Sequence, residues 1–296
     1  MKTYICNIFL FFLSFSSCIT PQTQQEVKSN KATTTTENEE PTLIHVTNFV
    51  IDTSKSLKEL DLILSHSADT DYLVRNNFDW DSVAPEDIFI NNLLLCLKSP
   101  KTFGYQFPIL TDSVDTRKIG FLWSDDNLLR VFNWLSPTTG SWQNYWAVFQ
   151  AKNKRNKIVS SFKNRSICEG YIAATQYGKI YRLNSSKKQL YLCIGGGQYS
   201  SRAPFDIVET IEVNNDSILP ASILQGDTTC SITIFTEAEY EGPLQNIPDI
   251  DFDTKTQTLT VPEMTKEIDP SDEKISTWTG KLIKMKFNGD KFVKIK

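Results

Sequence analysis

Histidine is scarce in this sequence, which limits the acid–base and metal chemistry open to it. The 296 residues include two histidines, His45 and His66, and both precede the strand-rich part of the chain. A Ser-His-Asp triad or a histidine-rich metal site in that part would need one of them to reach across. The HExxH and GxSxG motifs of zinc peptidases and serine hydrolases are also missing. The sequence therefore predicts no catalytic residue and no cofactor.

An excess of positive charge is missing as well. The chain carries 31 Lys and Arg against 35 Asp and Glu, for a formal net charge of −4. Proteins dedicated to nucleic acids normally carry a basic excess that pairs with phosphates, so we predict no nucleic-acid partner. The 40% hydrophobic content and the 12 glycines exclude a disordered or collagen-like chain. A mostly globular protein is expected.

Long apolar runs are confined to the N-terminus, MKTYICNIFLFFLSFSSC. Its apolar core, residues 5–15, is shorter than the roughly 20 residues that cross a bilayer, and follows a lysine as in an export signal. Two small residues then precede Cys18, in a segment that resembles a bacterial lipobox. We predict a signal peptide over 1–17 and acyl chains such as palmitate on Cys18. The alternative is ordinary cleavage near Thr20, which would discard that cysteine.

Residues 19–40 are almost wholly polar and contain a run of four threonines. Such a segment cannot bury enough apolar area to offset its ordering entropy, so 18–41 is predicted to be a lipidated cysteine and a disordered tether. No acidic run follows Cys18, whereas surface-exported lipoproteins of some bacteria have one. We therefore expect a bacterial envelope protein, anchored by lipid to the outer membrane and facing the periplasm.

The four cysteines after Cys18 have no CxxC spacing, which disfavours a zinc ribbon or a thioredoxin-type site. They are Cys96, Cys168, Cys193 and Cys230. An oxidising compartment permits disulfides, and four cysteines allow three pairings among which the sequence does not choose. Each lies in an apolar run, so burial as a small hydrophobic residue is the alternative to a bridge.

Between residues 42 and 100 the apolar residues follow a helical spacing. A first helix is predicted in SKSLKELDLILSH, with Ser54 or Ser56 as its cap and Glu59 in its first turn. Its apolar face recurs at three and four residues: Leu57, Leu60, Ile63 and Leu64. A second helix is predicted over 85–98, with a proline in its first turn.

Residues 101–296 change to short strand-like runs separated by turn residues. KIGFLWS and LLRVFNWL predict one hairpin, NYWAVFQAK and NKIVSSFK a second, and GYIAATQY and IYRLN, around Gly178-Lys179, a third. Such runs without intervening helices are typical of an antiparallel meander. We predict a mainly β fold, α+β overall, with the helical segment 42–100 packed on it. Sandwich, open sheet and barrel-like sheet stay open at this point.

Three segments share a pattern with known sequences. Ser124 to Trp142 reads as a strand, an acidic turn, a strand ending aromatic-x-Trp and a Thr/Gly loop; Leu190 to Ser201 and the closing hairpin Gly280 to Phe292 also fit. Together they resemble uncharacterised envelope lipoproteins of Bacteroidetes with a C-terminal β-rich domain. The resemblance implies an envelope location and a β-rich architecture. It implies no activity and no catalytic residues.

Aromatic residues crowd into 24 positions between Trp123 and Trp146. Aromatic rings can stack on sugars, although packing in the core is the usual role of such residues on strands. Trp142 lies beside a glycine in a loop, which favours exposure. The sequence thus predicts a candidate ligand platform at Trp142, Tyr145 and Trp146.

Two short motifs suggest ligands without matching a full pattern. Asp249, Asp251 and Asp253 begin like a calcium loop, but threonines hold the positions of its glycine and bidentate glutamate. We predict no metal site, with these three as the calcium candidate and a solvated strand face as the alternative. Gly195-Gly196-Gly197 opens no helix, so a turn or a strand bulge is expected rather than an anion cradle.

These observations predict a membrane-tethered envelope lipoprotein of unknown activity. Its partners are expected to be the membrane, through the lipid, and an envelope protein or glycan bound without catalysis. The alternative is a hydrolase of envelope polymers or glycans. Such enzymes need two carboxylates about 5 to 10 Å apart, and the candidates are Glu209 with Glu212, or Glu237, Glu239 and Glu241. A third hypothesis is that the protein is a structural module that docks onto an outer-membrane assembly.

Overall fold

The structure is a computed structural model, and its helices precede its strands along the chain. It describes residues 51–68, 85–112, 119–135, 145–163, 175–200, 203–224, 229–235, 247–268 and 274–295. These ranges belong to one unit, Leu43–Lys296. Its helical elements are α1 (Leu57–Ala68), α2 (Pro85–Lys98), a 3₁₀ turn (Pro100–Thr102) and α3 (Pro108–Asp112). Both helices predicted from the apolar spacing are confirmed.

Helix α1 begins with a capping box at Ser56, one of the two capping residues the sequence offered. The Ser56 backbone N–H donates to Glu59 Oε2 at 2.9 Å, and the Glu59 N–H donates to the Ser56 hydroxyl at 3.3 Å. Two donors of the first turn are thereby satisfied. The apolar face of the helix points inward, with Leu60 and Leu64 fully buried.

The strands follow the runs of alternating and continuous apolar residues. In the described residues they are β1 (Gly120–Trp123), β2 (Leu129–Leu135), β3 (Tyr145–Lys152), β4 (Ile158–Lys163), β5 (Gln176–Arg182), β6 (Leu190–Ser200), β7 (Ala203–Val213), β8 (Ile218–Pro220), β9 (Ser231–Phe235), β10 (Asp251–Asp253), β11 (Thr258–Ile268), β12 (Lys274–Phe287) and β13 (Phe292–Ile295).

The strands form three antiparallel sheets. Sheet I has the order β1-β2-β3-β4, sheet III the order β10-β11-β12-β13, and sheet II the order β5-β6-β7-β8 with β9 also paired to β7. Neighbours in sequence are therefore neighbours in space almost throughout, as in a meander. The prediction of a mainly β fold with a small helical part is confirmed.

Three apolar interiors show that the helices and sheets stack in layers. The first joins the helices to one face of sheet I and includes Leu64, Phe89, Leu93, Phe132, Trp134 and Val148. The second joins the other face of sheet I to sheet II and includes Val131, Phe149, Tyr177, Tyr191, Cys193 and Ile211. The third joins sheet II to sheet III and includes Leu192, Val208, Phe252, Leu259, Met285 and Phe292. Sheets I and II are thus covered on both faces, which is why their strands read as nearly continuous apolar runs.

The third predicted hairpin is wrong. Gly178 and Lys179 do not form a turn, because β5 runs through them from Gln176 to Arg182 and pairs with β6. The register shifts between Tyr177 and Lys179, so the glycine marks a bulge within one strand. A glycine inside a strand signals a bulge as readily as a turn, and pairing along β6 selects the bulge here.

A buried arginine connects the helical layer to sheet I. Arg130 on β2 is fully buried. Its guanidinium donates to Gln150 Oε1 at 2.7 Å, to the Thr102 carbonyl at 2.7 Å and to the Tyr105 carbonyl at 2.5 Å. The carbonyls belong to the segment that leads from α2 to α3, so the interaction holds that segment against the sheet. We call these four residues the Arg130 cluster.

Candidate functional site

The structure describes two of the three residues predicted to form an aromatic platform. Tyr145 and Trp146 begin β3, whereas Trp142 lies outside the described residues. The predicted lipidation site, Cys18, lies outside them as well. Successive residues of a strand point to opposite faces, so these two side chains cannot belong to one flat platform. Both are half-buried.

Trp146 points into the interior between the helices and sheet I. Its ring makes edge-on contacts with Trp134, 6.2 Å between centroids, and with Phe162, 5.9 Å. Trp134 in turn contacts Phe89 of α2 at 5.2 Å. This chain of aromatic contacts gives Trp146 a packing role. Tyr145 lies on the face of sheet I that is turned toward sheet II, opposite Leu135 in the register.

A group of ionisable side chains lies between sheets I and II, on the face that Tyr145 shares. Glu209 of β7 is fully buried and accepts a hydrogen bond from the Tyr177 hydroxyl at 2.5 Å. Cys193 pairs with Glu209 across β6 and β7 and shares its face. Lys163 closes β4 of the opposing sheet and interacts electrostatically with Glu209. We call these four residues the Glu209 cluster.

Burial sets the protonation of this cluster. It raises the pKa of the Tyr177 hydroxyl and of the Cys193 thiol well above their ordinary values, and the neighbouring Glu209 adds to both shifts. Burial lowers the pKa of Lys163, while Glu209 opposes that change. At neutral pH the tyrosine is therefore a donor and the cysteine a thiol. Neither is a ready nucleophile or base, since both roles need the deprotonated form.

The backbone around Tyr177 ties this cluster to sheet I. Its N–H donates to Asn133 Oδ1 at 3.4 Å, and its carbonyl accepts from Asn133 Nδ2 at 3.3 Å. The Tyr177 ring also contacts Phe149 edge-on at 5.2 Å. The cluster thus holds two sheets together with paired polar groups, as buried polar groups require.

The candidate carboxylate pair does not converge. Glu209 faces sheet I, whereas Glu212, an odd number of residues away on β7, faces the other side of sheet II. Glu212 pairs there with the Lys188 ammonium at 2.9 Å. Two acids on opposite faces of one sheet cannot flank one glycosidic bond. The other acids that the sequence suggested, Glu237 to Glu241, lie outside the described residues.

The glycine run belongs to a strand and not to a turn. All three glycines lie within β6 and pair with β7, so their backbone amides serve the sheet. A Cβ on Gly195 would lie 2.4 Å from the Gln176 carbonyl, and one on Gly197 would lie 2.7 Å from the Phe205 ring. The glycines therefore permit close approach of neighbouring strands and of one aromatic ring. The bulge in this strand lies further on, between Gln198 and Ser200.

The calcium candidates Asp249, Asp251 and Asp253 are exposed around β10. Asp253 serves the turn that follows, because its carboxylate accepts hydrogen bonds from the Lys255 N–H at 2.9 Å and the Thr256 hydroxyl at 2.8 Å. These bonds lower its pKa. Among the described residues no group of three or more His, Cys, Asp or Glu is placed to hold a metal ion.

The cysteines divide into two kinds. Cys96 and Cys193 are buried free thiols, and burial raises the pKa of Cys96 to about 12. Cys230 is disulfide-bonded. Cys168 lies outside the described residues. Burial as small hydrophobic residues, one of the two sequence-based alternatives, thus applies to two of these cysteines.

Sequence reasoning passed over Lys163, Tyr177 and Arg130. A usable signal exists for some of these positions: along β7 every second residue from Phe205 to Val213 is apolar except Glu209. On β2, Arg130 likewise shares a strand face with the apolar residues Phe132 and Trp134, which lie at the next alternate positions. A charged residue on an otherwise apolar strand face indicates a buried polar interaction, because such a residue is rarely buried unpaired.

Comparisons with protein-family models, with curated protein sequences and with solved structures returned no match for this chain. In the part of the chain that the structure describes, no helix is both long and apolar enough to cross a membrane.

Proposed function

We propose that this protein is an envelope lipoprotein, tethered through Cys18, whose β-rich domain binds a protein or glycan partner without catalysis. One structural observation carries the non-catalytic part. The described side chains with large pKa shifts lie inside contacts between layers: Arg130, Tyr177, Tyr191 and the two free cysteines. In enzymes, groups with strongly shifted pKa values line an accessible cleft.

Arg130 and Tyr191 also have hydrogen-bond partners in another layer that explain their positions. Tyr191 of sheet II donates to Asp126 Oδ2, in the turn between β1 and β2, at 3.1 Å. Arg182 stacks over the Tyr191 ring, 5.0 Å from its centroid. Buried polar networks of this kind specify how layers pack. They support a rigid scaffold that presents its outer surfaces to a partner.

The lipid anchor is tested by intact mass and membrane partitioning of the protein from its native host. We expect acyl mass on the wild type and its release to the soluble fraction by Cys18→Ala. Cys6→Ala is the matched control, because that cysteine lies within the predicted signal peptide and should change neither result. A mature chain that begins after Cys18 and carries no lipid would contradict the anchor.

The non-catalytic binding is tested with isolated envelope glycans. We expect the protein to bind them, or to be crosslinked to a discrete envelope protein, without releasing reducing ends. Release of reducing ends that disappears in the isosteric variant Glu209→Gln would contradict the proposal and favour a hydrolase. Glu209 and Glu212, the pair that the sequence suggested, lie on opposite faces of sheet II and do not favour that second function.

A further inference from the structure

The outer face of sheet III carries adjoining basic and apolar side chains. They are Leu282, Lys284 and Lys286 on β12 and Val293 and Ile295 on β13, hereafter the lysine face. The register pairs Lys284 with Ile295 and Lys286 with Val293. Residues two apart on a strand also share a face. The five side chains are therefore direct neighbours.

The lysine face is exposed to solvent. Leu282, Val293 and Ile295 are 46%, 45% and 39% exposed, and both lysines are exposed as well. The residues between them, such as Met285, point inward and are buried. Single exposed apolar residues are ordinary on protein surfaces. Three that adjoin two lysines form a mixed patch, of the kind that marks an interaction site.

The C-terminal residues 274–296, which include the lysine face, carry a net positive charge, whereas the rest of the chain carries a net negative charge. Residues 274–296 contain seven lysines and one aspartate, and subtracting them from the totals of 31 and 35 leaves 24 basic and 34 acidic residues elsewhere. Within the described residues, neither Lys284 nor Lys286 takes part in an ion pair. The positive charge of this face is therefore free to attract an anionic partner.

We propose that the lysine face rests on an anionic lipid surface. The lysine ammonium groups would pair with lipid phosphates, while the three apolar side chains enter the boundary between headgroups and acyl chains. This inference rests on the proposed lipid anchor. If residues 19–40 are the tether that the sequence predicts, a linker of that length would span about 25 Å on average and keep the domain close to the membrane.

The opposite edge of the same face sets the orientation. Asp251 and Asp253 on β10 lie two strands away from the lysine row, which is about 10 Å at ordinary strand spacing. Their negative charge disfavours close approach to anionic lipid. The sheet would therefore tilt so that β12 and β13 meet the surface and β10 stays in water.

The test measures cosedimentation with phosphatidylcholine vesicles, with and without about 30% phosphatidylglycerol as the anionic lipid. All variants are made in the predicted mature chain, residues 18–296, carrying Cys18→Ala, so that neither lipid nor the apolar signal segment contributes and a failure of the lipoprotein proposal leaves this result interpretable. The test variant is Lys284→Glu with Lys286→Glu. The matched control is Lys58→Glu with Lys187→Glu, which makes the same charge change on exposed lysines of α1 and of the β5–β6 connection.

Each lysine near an anionic surface contributes roughly five-fold to binding. We therefore expect the test variant to bind the anionic vesicles at least about thirty-fold more weakly and the control to stay within about two-fold of the unsubstituted lysines. The difference should vanish at ~1 M salt, where exposed charges are screened. Vesicles without phosphatidylglycerol should bind little of any variant.

A second variant tests the apolar part. Val293→Thr with Ile295→Thr keeps β-branched side chains in the strand, so the sheet should persist, as circular dichroism would verify. Its binding to the anionic vesicles should weaken at low salt, although it keeps both lysines. Equal binding by the two lysine double variants would overturn the proposal, as would equal binding to both kinds of vesicle. Unchanged vesicle binding with loss of a crosslinked envelope protein would overturn it in favour of a protein partner.

Discussion

The Arg130 cluster allows a test in which a neutral substitution is milder than one that conserves charge. Burial lowers the pKa of Arg130 from 12.5 to about 10. A shift of that size means that the folded protein disfavours the charged form by about 3 kcal/mol relative to water. The guanidinium nevertheless stays charged at neutral pH and bonds three oxygens, those of Gln150, Thr102 and Tyr105.

Arg130→Met removes this charge and keeps most of the side-chain volume. Three acceptors, two buried and one half-buried, then lose their donor at about 2 kcal/mol each, and relief of the charge penalty offsets about half of that cost. We expect a net loss of about 3 kcal/mol in the free energy of unfolding. Arg130→Lys keeps the charge, but its ammonium holds all three donors on one nitrogen, which lies within reach of one acceptor and leaves the other two unpaired. Because an ammonium is also more strongly hydrated than a guanidinium, we expect a loss of at least about 4 kcal/mol.

The assay is equilibrium unfolding in urea followed by tryptophan fluorescence, which is suitable because Trp123 and Trp134 lie on the strands beside Arg130. The same two substitutions at the exposed Arg155 serve as controls and should change stability by less than about 0.5 kcal/mol. A lysine variant more stable than the methionine variant would refute the reasoning, because charge would then be favoured at this site. Wild-type stability in both would show that the hydrogen bonds contribute nothing net.

Three further predictions concern thiols, close packing and pH. Alkylation of the native protein should spare the buried thiols of Cys96 and Cys193, and a non-reducing peptide map should find Cys230 in a disulfide and identify the other half of that bridge. Gly195→Ala should destabilise the domain by about 1 to 3 kcal/mol, because its Cβ would clash with the backbone of β5. The lowered pKa of Glu59 predicts stability that is fully present above its ordinary pKa of 4.5 and is lost as the pH falls through the lower folded value. Glu59→Gln should remove that part of the pH dependence, measured as unfolding midpoints between pH 3 and 6.

Each of these predictions has a control and a contradicting result. Gly178→Ala meets open space and should be nearly neutral in the same unfolding assay; equal losses at both glycines would rule out the steric argument. Rapid alkylation of either free thiol before unfolding would contradict its burial. A carboxyl titration by NMR that places Glu59 at its ordinary pKa would contradict the capping box with Ser56.

Local signals in the sequence were sufficient for most of the elements. The spacing of Leu60 and Leu64 and the Ser56 capping box determine α1, because both depend on residues within one or two turns. The final hairpin is equally local: Asn288-Gly289 lies between β12 and β13, with the glycine at φ +100°, a conformation that glycine adopts without strain.

Predictions failed where a residue's role depends on a distant strand. Gly178 looks like a turn residue in its own segment, and only pairing with β6 makes it a bulge. Tyr145 and Trp146 look like one aromatic surface in sequence, yet the strand turns them to opposite faces. Glu209 and Glu212 are separated in the same way. Period-two alternation is visible in a sequence, but the layer that covers each face is not.

By itself, the sequence determined most element types and the mainly β class, because these follow from composition or short-range pattern; on the same grounds it predicts an export signal and a tether. Only the tertiary structure decided that sheets I and II are covered on both faces and that the side chains of Arg130 and Glu209 are buried between layers. It also decided that Lys284 and Lys286 lie beside Val293 and Ile295 in the open. The reason is physical: burial and charge pairing depend on which surfaces stack, and stacking joins residues far apart in the chain.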